Sequence, residues 1–173
     1  MKERVIVVFI IAFMFVLSGC TKQVNLALSE PELSKFIFDH EISPLAIRHI
    51  GDSFTVILYE TNFEMGNFSV SSDQNGTLST HKFSSSNNSS VTPVSISYTS
   101  SGIPYATVII NDPKIQSNAK KIKAVWDNGH EIVEETQSEK GFIISDETFS
   151  KTESNLRELI ITDQEGKILF EMG

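Results

Sequence analysis

Beyond residue 45 the chain is a series of short runs rich in β-branched and aromatic residues, each cut off by turn-forming residues. The run 54–59 is Phe-Thr-Val-Ile-Leu-Tyr, and 105–110 is Tyr-Ala-Thr-Val-Ile-Ile, apolar enough to be buried on both faces. Residues 68–72 and 94–98 alternate apolar and polar, as a half-buried strand does. Further runs fall at 122–126, 131–135, 141–145, 159–162 and 167–170. About ten short strands at such spacing cannot make a helical bundle or a doubly wound α/β fold. They predict an antiparallel β-sandwich of immunoglobulin-like architecture.

The turns carry their own chemistry. Asp73-Gln74-Asn75-Gly76 and Asp163-Gln164-Glu165-Gly166 both open on Asp, whose carboxylate can hold the turn's amides, and close on Gly, which accepts a positive φ. Each reads as a type I turn with a glycine bulge. Asn128-Gly129 is a two-residue hairpin signal. A two-residue loop there sets Lys123 opposite Glu134 and Lys121 opposite Thr136. It also gathers Ile122, Ala124, Trp126 and Val133 on one face, so Trp126 is expected in the core.

One helix is expected near the start. Ser29-Glu30-Pro31-Glu32 is a capping box with proline in the first turn, and Leu33, Phe36 and Ile37 follow at helical spacing. Ser43-Pro44 ends it, since the residue before proline avoids the helical region. Asp112-Pro113 starts a second short helical turn through Ala119. The serine- and asparagine-rich stretch 83–93 has little to bury and reads as a loop, with 84–93 a possible break between subdomains.

The first twenty residues concern location. Lys2 and Arg4 precede Val5 to Leu17, thirteen residues without a polar side chain. That is short of the roughly 17–25 residues of a spanning helix and suits a signal-peptide core. Leu17-Ser18-Gly19-Cys20 follows, and Cys20 is the only cysteine. The segment resembles bacterial lipoprotein signals with their Leu-small-Gly/Ala-Cys lipobox. The resemblance implies cleavage of residues 1–19 and a diacylglyceryl thioether on Cys20. It also implies attachment to the extracytoplasmic face of the cell membrane. Residues 20–28 then serve as lipidated cysteine and tether, and 29–173 as a single β-rich domain.

Loss of Lys2, Glu3 and Arg4 takes 14 basic and 22 acidic side chains to 12 and 21, a balance of −9. Such a domain does not bind nucleic acid through its bulk field. No familiar catalytic pattern is present. The four histidines, His40, His49, His81 and His130, lack ligand spacing. His130-Glu131-Ile132-Val133-Glu134 has Glu where a zinc protease needs its second His, and it leaves a turn as a strand. Glu134 and Glu135 are strand neighbours and point apart. Asp73, Asn75 and Gly76 lack the further acidic ligands of a calcium loop. Lys120, Lys121 and Lys123 read as a solvated outer face. No cofactor, metal ligand or catalytic residue is assigned.

These readings converge on a membrane-anchored lipoprotein acting as a non-catalytic interaction or accessory module for an envelope protein or polymer. Arg48, Tyr59 and Tyr98 are the binding candidates, as an Arg and two aromatics of the kind that anchor interfaces. A small envelope hydrolase and a ligand-binding lipoprotein are the alternatives.

Overall fold

The computed structural model describes residues 24–100, 102–148 and 154–173. The expected signal segment, residues 1–19, and Cys20 lie outside them. Among the described residues the order is α1 (Glu30–Asp39), β1 (Pro44–Ile50), β2 (Phe54–Glu60), β3 (Glu64–Ser72), β4 (Leu78–Ser86), β5 (Val94–Thr99), β6 (Tyr105–Ile110), α2 (Pro113–Asn118), β7 (Lys121–Trp126), β8 (Glu131–Glu135), β9 (Gly141–Ser145), β10 (Leu156–Thr162) and β11 (Ile168–Met172). No described helix is long and apolar enough to cross a membrane.

The protein is mainly β. The strands form three antiparallel sheets, ordered β1-β2-β3-β4, β5-β6-β9 and β11-β10-β7-β8. Period-two side chains distribute them over three cores. Leu28 and the α1 residues Leu33 and Phe36 cover Ile57, Tyr59, Phe68 and Val70 on one face of the first sheet. Its other face meets the second sheet through Val56, Leu58, Met65, Tyr105, Ile109 and Ile143. The second sheet's remaining face, with Ala106, Val108, Ile110, Phe142 and Ile144, closes on Ile122, Ala124, Trp126, Leu159 and Ile161 of the third. Strand β6 is therefore buried on both faces, as its uninterrupted apolar run predicts.

Local signals act as expected. Ser29 N–H donates to Glu32 Oε2 at 2.9 Å, closing the capping box. The hydrogen bonds from Ser29 hold the Glu32 carboxyl below its usual range. Asp73 Oδ1 accepts from the amides of Asn75 and Thr77, each at 2.8 Å, and Gly76 has φ 78°. Asp163 does the same for Glu165 and Lys167, with Gly166 at φ 82°. Asp112 caps α2 through the amides of Lys114 and Ile115. At the end of α1, Ile42 N–H donates to Ile37 O and Glu41 N–H to Phe38 O, a Schellman closure with Glu41 at φ 52°.

Four expectations change. First, two strands form that the sequence reading did not name: β1 at Pro44–Ile50, and β4 at Leu78–Ser86, which runs into the serine-rich stretch read as loop. Serine and threonine suffice for β4 because β3 supplies a complete ladder from Ser72↔Leu78 to Glu64↔Ser86. Second, the β7–β8 connection has three residues, Asp127 to Gly129, with Trp126 N–H donating to His130 O. The extra residue moves the register by one: Lys123 pairs with Val133, and Lys121 with Glu135. Third, that shift turns Val133 outward, at 54% exposure, while Trp126 is fully buried. Fourth, the tether is docked where it is described. Leu26 and Ser72 exchange main-chain bonds, Leu28 is buried, and Leu28 N–H donates to Thr55 Oγ1 at 3.0 Å.

Candidate functional site

The three binding candidates part company. Tyr59 is 4% exposed, so it is not a surface anchor. It lies in β2 on the face that α1 covers, stacked on Phe68 with centroids 5.3 Å apart. Only its hydroxyl reaches polar company, donating to Glu64 Oε1 at 3.0 Å. Lys82 Nζ donates to the same oxygen at 2.7 Å and sits 5.5 Å from the Tyr59 ring centroid. Lys82, then Tyr59, hold the Glu64 carboxyl below its usual range, while burial pushes the Tyr59 hydroxyl up. A cavity of ≈ 380 Å³ opens beside this group, lined also by His40, Glu41 and Glu60.

Arg48 is spent inside the molecule. Its Nη1 pairs with Glu134 and donates to Ile143 O at 2.8 Å. That carbonyl lies on β9, an outer strand of the second sheet, so Arg48 links β1 to β8 and β9. Lys140 pairs with Glu60 across the same junction. Tyr98 alone is exposed as expected, at 48%. Arg48 and Tyr59 carry the residue types of binding anchors, but their partners are 86 and 5 residues away in sequence.

One polar cluster has a catalytic look. Asp146 is fully buried, and its Oδ2 lies 3.2 Å from His130 Nδ1. That is ion-pair distance, yet Oδ2 has no aligned hydrogen bond. Thr148 donates its hydroxyl hydrogen to Asp146 Oδ1 and lies 3.1 Å from His130 Nδ1. A buried carboxylate behind one imidazole nitrogen is how general-base histidines are oriented. Sequence reading missed Asp146, which is 16 residues from His130 and has no spacing that signals the pair.

A further open feature is a groove between β4 and β5. Leu58, Met65, Gly66 and Ile109 form its floor, Phe83 and Ser85 one wall, and Ser95, Ile96 and Ser97 the other. It encloses ≈ 280 Å³ and is mostly apolar. Gly66 is required: a Cβ there would lie 2.1 Å from Phe83 O. Both walls are outer strands, each hydrogen-bonded to a single neighbour. Strand β4 is exposed along all nine residues, and Phe83 is 56% exposed. Compared with family models, curated proteins and solved structures, the chain matches none.

Proposed function

We propose that this chain is a lipoprotein held on the extracytoplasmic face of the membrane through Cys20, and that it works as a non-catalytic interaction module. The observation that carries the second half is the groove between two outer strands, each with one open edge, with Phe83 on its rim. Main-chain groups along such an edge give affinity to an extended partner, and the pocket beside them gives selectivity. At the other cavities Arg48 is already paired with Glu134, and Lys82 with Glu64, within the chain. The lipobox supports the anchor.

We further infer that strands β5 to β11 are an immunoglobulin-like sandwich, with α1 and the first sheet as its N-terminal extension. Strand order supports this. Lettered in sequence, β5-β6-β9 reads A-B-E, and β11-β10-β7-β8 reads G-F-C followed by the strand after C, the immunoglobulin division of strands. Trp126 on β7 matches the buried tryptophan of strand C.

Two measurements test the function. Radiolabelled fatty acid is expected on the wild-type chain and absent from Cys20→Ala, which stays unprocessed; equal labelling overturns the anchor. The phenotype of a deletion strain is expected to be restored by single replacements of His40, His49, His81 and His130 but not by Phe83→Lys. His130 is the telling case, because its pairing with buried Asp146 favours a second reading, a small envelope hydrolase. Loss of phenotype in His130→Gln, with normal abundance and fold, would install that reading instead.

A further inference from the structure

Among the described residues the outer strands are protected, with one exception. Strand β1 begins at Pro44 and breaks register between Pro44 and Ala46. Strand β8 is five residues long and carries Glu131, Glu134 and Glu135. Strand β9 is also five residues long, and Arg48 occupies its Ile143 carbonyl. Strand β11 is short and bears Glu171, beside a register break between Ile161 and Thr162. Strand β5 has six residues and starts directly after Pro93. These are the usual devices that keep sheet edges from pairing. Strand β4 has nine residues, no proline and no bulge. Its one lysine does not guard the edge, because Lys82 is turned over the Tyr59 and Phe68 rings and bonded to Glu64.

The open hydrogen-bonding positions can be counted. Asp73 N–H donates to Thr77 O, and Ser72 gives both its main-chain groups to Leu26. Bonds to β3 therefore fall on Ser79, His81, Phe83 and Ser85. The main-chain groups of Leu78, Thr80, Lys82, Ser84 and Ser86 face the free edge.

We propose that β4 of one copy pairs antiparallel with β4 of a second copy, about a twofold axis at Phe83. The proposal names the partner of the interaction surface above and rests on that reading. A symmetric register must set outward-facing residues opposite one another. Centring on Lys82 sets two like-charged lysines directly opposite each other, an unfavourable pair, and leaves Phe83 opposite His81. Centring on His81 stacks two histidines and leaves Phe83 opposite Ser79. Centring on Phe83 sets Phe83 against Phe83 in a close, non-hydrogen-bonded pair, the arrangement that favours aromatics. Lys82 then meets Ser84, His81 meets Ser85, and Thr80 meets Ser86. Strand β4 carries no carboxylate, so two chains of net charge −8 meet along a strip free of acidic side chains. The product is one continuous sheet of eight strands, four from each copy.

The test uses the full chain in mild detergent. Light scattering is expected to give twice the chain mass for wild type and the single-chain mass for Ser84→Pro, which removes an outward N–H without touching the β3 ladder. Under mild oxidation Phe83→Cys should form a disulfide dimer, and His81→Cys should cross-link with Ser85→Cys when the two are mixed. Wild type, whose only cysteine, Cys20, is taken up by the lipid thioether on the reading above, and Leu78→Cys should not. Far-UV circular dichroism and Trp126 emission check that each variant is folded. A wild type of single-chain mass at every concentration overturns the proposal, as does a dimer indifferent to Ser84→Pro. Loss of phenotype in Ser84→Pro alongside a monomeric wild type would keep the interaction reading and reject the second copy as its partner.

Discussion

Strands β4 and β6 are the extremes of one architecture. All six residues of β6 are buried, and all nine of β4 are exposed. The first is a strand because both faces remove apolar area from water, at about 25 cal/mol per Å². The second has almost nothing to bury. It is a strand because the Asp73–Gly76 turn delivers it to β3 in register and because each ladder bond then forms. Burial thus makes β6 a structural centre, and its absence leaves β4 free to meet a partner.

The comparison breaks most visibly in the core. Ile110→Ala, in β6 at 0% exposure, is expected to cost about 2–5 kcal/mol, the range for truncating a buried isoleucine. In a chain of this size each kcal/mol lowers Tm by about 2–4 °C, so calorimetry resolves the effect. An unchanged Tm would mean that β6 is not the core strand.

Gly66→Val tests β4 through its ladder. A Cβ at Gly66 collides with main-chain atoms of Phe83 and Ser84, which belong to the backbone and cannot rotate away. Amide exchange is expected to accelerate across β4 while β6 keeps its protection. Equal loss in both strands would show that the two do not open separately.

Acid should sharpen the difference. The Asp73 carboxyl is held low chiefly by the Thr77 amide, and Glu64 chiefly by Lys82. A group whose folded pKa lies below its unfolded value adds stability above the unfolded value and loses it as pH falls through the folded one. Protection in β4, corrected for intrinsic exchange, should therefore hold near pH 7 and fall below about pH 4, the ordinary carboxylate range. In β6 the only titratable side chain is Tyr105, whose hydroxyl burial pushes up, away from that window. Parallel acid profiles for the two strands would refute the assignment.

The smallest effect belongs to the β4 surface. Thr80→Ala shortens a side chain that is exposed, as all of β4 is, and should change stability by less than about 0.5 kcal/mol. A larger loss by denaturant titration would mean that β4 is covered.

What was legible in the chain follows the reach of each interaction. The Ser29–Glu32 capping box, the two Asp-to-Gly turns and the apolar run of β6 act within a few residues, so the residues present suffice to read them. Elements that depend on distant partners were not legible. Residues 83–86 look like loop until β3 is beside them. Tyr59 and Arg48 have the composition of surface anchors until α1 covers the one and Glu134 engages the other.

By itself the sequence determined that the chain is mainly β, that a capped helix opens at Ser29, and where the two Asp-to-Gly turns fall. Local hydrogen-bond chemistry and the period of two decide such things without long-range information. The tertiary structure alone decided the register of β7 and β8, the pairing of His130 with Asp146, and which edge stays open. A single extra loop residue, Asp127, reverses which side chains face inward, and strand pairing across dozens of residues is settled by the joint packing of three cores.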